Sequence, residues 1–234
     1  MPLLRFGAFA VLFALVGCSW IPLGATTQSD DLRRVWTVFL TAAAGVYAIV
    51  AGLILWCVVA YRRRGRKVVQ AADFHQNAPL EIAWTVIPIL IVIGLFLVTY
   101  PAERHVESVT PNPDGVVQVI GFRWSWRFLY PREHVAIEGG TGATPNLVLP
   151  VGRTTEIKLS SSDVVHAFWV PAFLFKRDAT PGREQTFDLT PRQIGVFPGR
   201  CAEFCGTDHA TMTFTVRVVS PADYAAWLAA RKST

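Results

Sequence analysis

The sequence predicts a chain in two parts, a membrane helical hairpin of two transmembrane helices followed by an all-β sandwich. Three observations predict it. Apolar residues make up 52% of the 234 residues, and they crowd into the first hundred positions. Two long apolar runs in that region are separated by a knot of basic residues. Beyond Pro101, short β-branched or alternating runs recur between turn signals.

The first element is an N-terminal leader. Arg5 is followed by the apolar run Phe6 to Val16 and then Gly17-Cys18. One basic residue, a short apolar region and a small residue before a cut describe a secretory signal peptide over residues 1–17. Leu15-Val16-Gly17-Cys18 resembles a bacterial lipobox, which implies cleavage before Cys18 and a lipid anchor on its thiol.

The hairpin comes next, within residues 18–100. Residues 35–61 carry no charge and are long enough to cross a hydrocarbon core of about 30 Å with some tilt. Trp36 and Tyr61 stand at the two ends of this run, where interfacial aromatics belong. Residues 80–100 form a second span, interrupted only by Glu81 near its start and Pro88 inside. The connecting residues 62–79 hold Arg62, Arg63, Arg64, Arg66 and Lys67. The positive-inside rule therefore puts this loop in the cytoplasm and both flanks outside. Signal peptide and charge bias, read independently, give the same orientation.

The same charge distribution excludes a nucleic-acid function. The net charge is +5, but up to Tyr100 there are eight Lys or Arg against four Asp or Glu, and the excess sits in the basic knot. The remainder is nearly neutral and shows no basic face.

Residues 101–234 read as β structure. Residues 116–122, 147–149, 154–160, 184–189 and 213–219 are apolar or alternating runs. Asn112-Pro113-Asp114-Gly115, Glu138-Gly139-Gly140, Pro181-Gly182 and Pro198-Gly199 punctuate them. Many short strands so spaced predict a sandwich or barrel. Residues 221–232 are Ala-rich and predict a closing helix that starts near Ser220.

The chemistry concentrates in Cys201-Ala-Glu-Phe-Cys205-Gly-Thr-Asp-His209-Ala-Thr-Met212, with His166 upstream as a fifth donor. Thiolate, imidazole and thioether together select copper over hard cations. One cysteine, two histidines and a methionine would suit a mononuclear blue-copper centre, and a second cysteine allows two thiolates to bridge two coppers. On residue types alone, two other readings stay open. Cys201 and Cys205 could form a disulfide in an oxidising compartment, or join His166 and His209 around a structural zinc. The spacing excludes Cys-x-x-Cys redox chemistry, and the absence of Cys-x-x-Cys-His predicts no c-type haem in this chain.

From the first span to the end, the sequence resembles subunit II of the bacterial haem–copper cytochrome c oxidases. Leu80-Glu-Ile-Ala-Trp-Thr-Val-Ile-Pro88, Gly121-Phe-Arg-Trp-Ser-Trp-Arg-Phe128, Val151-Gly-Arg153, His166-Ala-Phe-Trp-Val-Pro171, Asp178-Ala-Thr-Pro-Gly-Arg183 and the cysteine motif carry the resemblance. It implies a cupredoxin-like Greek-key sandwich over residues 101–234, on the extracytoplasmic side of a bacterial plasma membrane. It implies that His166, Cys201, Cys205, His209, Met212 and the Glu203 carbonyl hold the two coppers of a CuA centre. The Glu203 carboxylate matches a ligand of a magnesium or manganese ion shared with subunit I. Trp124 matches the aromatic that receives the electron from cytochrome c or a cytochrome c domain, and Glu81 the acid at the mouth of a proton channel into subunit I. The implied function is that of a proton-pumping oxidase, in which this chain passes electrons from CuA to the haem groups of subunit I for reduction of oxygen to water. Its expected partners are subunit I, the other oxidase subunits and the lipid bilayer.

Bland roles exist for several of these residues. Trp124 and Trp126, two apart on one strand, would share a face as packing aromatics. Glu81 would favour a helix start. Asp163 would serve its own turn or stand behind His166. His75, His105 and His134 are expected at the surface. A CuA domain of nitrous-oxide reductase would share the ligand motif but not the hairpin or the short length, and a copper-delivery protein should lack Trp124, Glu81 and the hairpin blocks.

Overall fold

The structure is a computed structural model that describes residues 24–62, 76–140 and 143–232. The leader, Cys18, His75 and most of the basic loop lie outside the described residues. The chain divides into two compact units, Arg34–Pro101 and a second formed by Pro22–Arg33 together with Ala102–Thr234.

Two helices, α1 (Gln28–Ala60) and α2 (Ala78–Val106), carry the two apolar spans. Both outrun the apolar stretches from which they were predicted. α1 begins seven residues before Val35, where Ser29 donates its hydroxyl to the Thr26 carbonyl at 2.5 Å and its N–H to the Thr26 hydroxyl at 3.3 Å. α2 is closed at its start by Asn77, whose side chain accepts from the Leu80 N–H at 3.3 Å while Glu81 reaches back to the Asn77 N–H at 3.2 Å. It continues through Pro88 and Pro101.

The second unit is a two-sheet sandwich. Its strands are β1 (Gly115–Phe122), β2 (Ser125–Tyr130), β3 (Val135–Glu138), β4 (Asn146–Pro150), β5 (Thr155–Ser161), β6 (His166–Val170), β7 (Phe175–Ala179), β8 (Gln185–Leu189), β9 (Gly195–Cys201) and β10 (Thr213–Val219), and α3 (Pro221–Lys232) closes it. One sheet has the order β3-β2-β1-β5-β8 and the other β4-β10-β9-β6-β7. The parallel pairs β1·β5 and β4·β10 break an otherwise antiparallel pattern. Burial alternates strictly along β5, as a strand with one face on the core requires. Between the sheets lie Trp126, Phe128, Phe168, Phe187 and Phe214, all at most 1% exposed. Phe214 stacks on Phe168 at 4.7 Å and meets Trp126 edge-on at 5.3 Å between ring centres.

Five strands and the closing helix match the sequence expectation; β2, β3, β6, β7 and β9 are additional. Those five mix proline, charge or aromatics into short runs, so alternation alone does not reveal them. Residues before the first span also fold with the sandwich. The Ala25 N–H donates to the Ala172 carbonyl at 2.8 Å, the Arg192 N–H to the Ala25 carbonyl at 2.8 Å and the Thr27 N–H to the Thr190 carbonyl at 3.1 Å. Thr26 and Ser29 are wholly buried, and Asp30 forms a two-pronged ion pair with Arg192 at 2.6 and 2.7 Å.

Candidate metal centre

The cysteine motif starts on the last residue of β9 and runs through a loop into a short 3-10 turn, His209–Thr211, before β10. β9 and β10 are hairpin neighbours, which draws the ends of the motif together: the Cys201 N–H donates to the Met212 carbonyl at 2.9 Å. β6 lies on the other side of β9, with Phe168 opposite Cys201, and this pairing brings in His166 from thirty-five positions upstream. Gly121 in β1 makes room for the ring, since a Cβ there would stand 3.0 Å from His166 Cδ2.

Six donors converge as a result. Cys201 Sγ lies 3.9 Å from Cys205 Sγ, 3.8 Å from His166 Nδ1 and 3.2 Å from the Glu203 carbonyl oxygen. Cys205 Sγ lies 3.6 Å from His209 Nδ1 and 3.7 Å from Met212 Sδ. Cys201, Cys205, His166 and Met212 are buried. Both thiols are free, so the pair is not joined as a disulfide. A tetrahedral zinc would take the two thiolates and two imidazoles and leave the thioether and carbonyl idle. Here both sit against the sulfurs as closely as the imidazoles do. The complete set of two thiolates, two imidazoles, a thioether and a carbonyl fits a pair of soft cations.

The electrostatics favour the same occupant. Burial opposes ionisation of Cys201, but the hydrogen bonds from His166 and the neighbouring backbone outweigh it and bring the thiol down to about 6. Burial and the adjacent Cys201 charge push Cys205 up to about 12. Two thiolates this close repel each other, and cations between them remove that repulsion.

Asp163 stands behind His166. Its Oδ1 lies 2.8 Å from His166 Nε2. An ionised carboxylate only accepts, so Nε2 carries a hydrogen and Nδ1 is the ring nitrogen left to serve as a metal ligand. Burial disfavours the Asp163 charge, yet hydrogen bonds from His166 and from the Val164 and Arg123 amides hold the carboxyl down at about 2.

Trp124 is not on a strand. It occupies, with Arg123, the two-residue turn between β1 and β2, so it does not share a strand face with Trp126. It is half-buried, and its indole N–H donates to the Cys205 carbonyl at 3.2 Å over Gly206, whose φ is 119°. Trp126 is buried, edge-on to His166 at 6.1 Å. Phe204, between the cysteines, is 79% exposed. The Glu203 carboxylate is exposed and lies 3.6 Å from Lys176 Nζ. Glu81 caps the start of α2. His105 is exposed and pairs with Asp31 at 2.6 Å. Arg123 and Gly121 went unread in the sequence, although a glycine inside a strand pattern does signal close approach.

Comparison with known proteins places both units. Residues 14–101 match the profile described as cytochrome C oxidase subunit II, transmembrane domain, and residues 142–219 that described as its periplasmic domain. The probable cytochrome c oxidase subunit 2 of Streptomyces avermitilis is 33% identical over 92% of this chain and 81% of its own length. The cytochrome c oxidase subunit 2 of Cereibacter sphaeroides is 34% identical over 81% of this chain and 72% of its own length. The crystal structure of the periplasmic domain of subunit II from Bradyrhizobium japonicum is 31% identical, covers 53% of this chain and 98% of that one, and superposes with a TM-score of 0.48.

Proposed function

The chain belongs to the cytochrome c oxidase subunit II family, with a CuA-type periplasmic domain, and from that premise we propose that it is the electron inlet of a proton-pumping oxidase. It takes electrons from cytochrome c and delivers them to the haem groups of subunit I, where oxygen becomes water. The observation that carries this reading is the convergence of the six donors. His166 and His209 through Nδ1, the Cys201 and Cys205 thiolates, Met212 Sδ and the Glu203 carbonyl would together hold two copper ions. Bound there, two copper ions supply a one-electron relay whose charge is shared between the metals.

The chain's own residues do the rest. Burial of His166, Cys201, Cys205 and Met212 would restrain these donors between redox states. Trp124, bonded through its indole N–H to the Cys205 carbonyl, is the surface group that receives the electron. The exposed Glu203 carboxylate is available to a magnesium or manganese ion shared with subunit I. Glu81 sits at the predicted cytoplasmic end of α2, where it would admit protons to subunit I; its capping bond to Asn77 is compatible with that position. Residues 1–17 would be removed as a signal peptide and Cys18 lipidated.

EPR and optical spectra of the purified, copper-loaded oxidase test the reading. The expected result is a mixed-valence signal with one electron shared by two coppers in wild type, lost in Cys205→Ser. A single-copper spectrum, or a colourless zinc protein, overturns it.

A further inference from the structure

An antiparallel sheet with one face on the core alternates apolar residues inward and polar residues outward. β9, the middle strand of the order β4-β10-β9-β6-β7, departs from this. Its exposed positions are Val196, Pro198 and Arg200. Val196 is 64% exposed, and Ile194, just before the strand, is 59% exposed. Register sets Thr213 of β10 opposite Arg200, Thr215 opposite Pro198 and Arg217 opposite Val196, while Trp169 of β6 flanks Arg200 on the other side. Pro171, Pro198, Arg200, Thr213 and Thr215 contribute to the walls of a depression of about 440 Å³. The Arg200 guanidinium stacks on the Trp169 ring at 4.6 Å. Stacking uses the flat face of the guanidinium and leaves its N–H edge able to donate. Neither Arg200 nor Arg217 has an acidic partner among the described residues. The acids Asp178 and Glu203 pair instead with Lys176, at 3.8 and 3.6 Å.

We propose that the outer face of β9 and β10 is a docking surface for a polypeptide partner that presents carboxylates beside an apolar patch. Pro198 and Val196 supply the apolar centre, and Arg200 and Arg217 supply the cations on either side of it. A Trp-stacked arginine next to apolar side chains is the composition that interface centres favour. Charge complementarity selects the partner, because the rows Trp169-Arg200-Thr213, Pro198-Thr215 and Val196-Arg217 contain no acid. A second copy of this chain fits poorly, since the same patch on both copies would set arginine against arginine. An anionic lipid surface would engage the arginines but leaves the proline-walled depression unused. The inference stands whether or not the chain is an electron inlet, because none of these residues is a metal donor.

Photo-cross-linking in membranes that hold the assembled oxidase tests this. Val196, exposed and outside the core, is replaced by p-benzoylphenylalanine, and the linked product is mapped by mass spectrometry. The expected product is a different polypeptide, linked at a segment that carries Asp or Glu. Charge reversal in Arg217→Glu should lower its yield by about tenfold or more, because like charges then face each other across the contact. Arg200→Glu should do the same, and Arg217→Glu decides alone where Arg200→Glu disturbs the neighbouring Cys201. Exchanging the mapped acid for Lys should restore the product in Arg217→Glu. Absence of a polypeptide product overturns the proposal. So does a product with lipid or with a second copy of this chain, and so does a polypeptide product that Arg217→Glu leaves at wild-type yield. Loss of the two-copper spectrum in wild type would instead remove the electron-inlet reading and leave this one standing.

Discussion

In the hairpin, Leu53, Trp56 and Leu97 are 60%, 67% and 65% exposed, whereas in the sandwich Trp126, Phe128, Phe168 and Phe214 are at most 1% exposed. The residue types are the same and their fates are opposite. The sandwich satisfies its apolar side chains internally, by facing two five-stranded sheets across a shared aromatic core. The hairpin cannot, because two helices lack the surface to enclose each other, and it leaves these apolar side chains exposed, as helices long and apolar enough to cross a membrane would. The donor cluster lies in the self-sufficient unit. The hairpin satisfies its backbone internally and borrows its apolar environment.

The largest effect that tests this contrast is core truncation. Phe214→Ala should destabilise the sandwich by about 3–5 kcal/mol, whereas Leu53→Ala on the hairpin should leave sandwich unfolding within about 0.5 kcal/mol. Denaturant unfolding of the two variants measures both, and equal losses would break the distinction. Charge insertion follows. Leu53→Arg should cost about 2.5–3.5 kcal/mol of membrane insertion and reduce the membrane-bound fraction. Val196→Arg, at a sandwich position 64% exposed, should leave both unfolding and membrane fractionation unchanged. Next comes the fit around the ligand ring. Gly121→Ala places a Cβ 3.0 Å from His166 Cδ2 and should cost about 1–3 kcal/mol. It should weaken copper loading in a metal titration, while an alanine at Gly140, where nothing lies within 4 Å, should not.

The smallest effect is at the segment before the first span. Arg192→Ala should lose less than about 1 kcal/mol, since the pair with Asp30 is largely exposed. The hydrogen bond from Arg192 holds the Asp30 carboxyl below the ordinary carboxylate range. A depressed folded-state value means that the contribution is present above the unfolded carboxylate pKa and is lost as pH falls through the folded one. Acid titration of unfolding should therefore show a small loss in wild type below that range which Asp30→Asn does not show.

Much of this was legible in the sequence because it is local. Hydropathy over twenty residues announces a span, whatever surrounds it. Cys201, Cys205, His209 and Met212 fall within twelve positions, so their joint presence reads directly as a donor set. Trp124 illustrates the other case. Its identity was plain, but its place in a turn rather than on a strand depends on β2 beginning at Ser125, and short mixed runs do not announce their ends. The short segment at Ala25 to Asp30 likewise shows no periodicity, and only its hydrogen bonds to Ala172, Thr190 and Arg192 reveal that it belongs to the sandwich.

The sequence by itself determined the two-part plan, the two spans and the kinds of atom available to a metal. These follow from composition and spacing within a window. The tertiary structure alone decided that His166 joins the thiols, that the thioether and carbonyl lie against them too, and that Asp163 reaches Arg123. Those outcomes depend on the register of β6 against β9 and on how loops from three strand pairs meet at one end of the sandwich. A one-residue slip in either pairing would turn the same side chains away from the site.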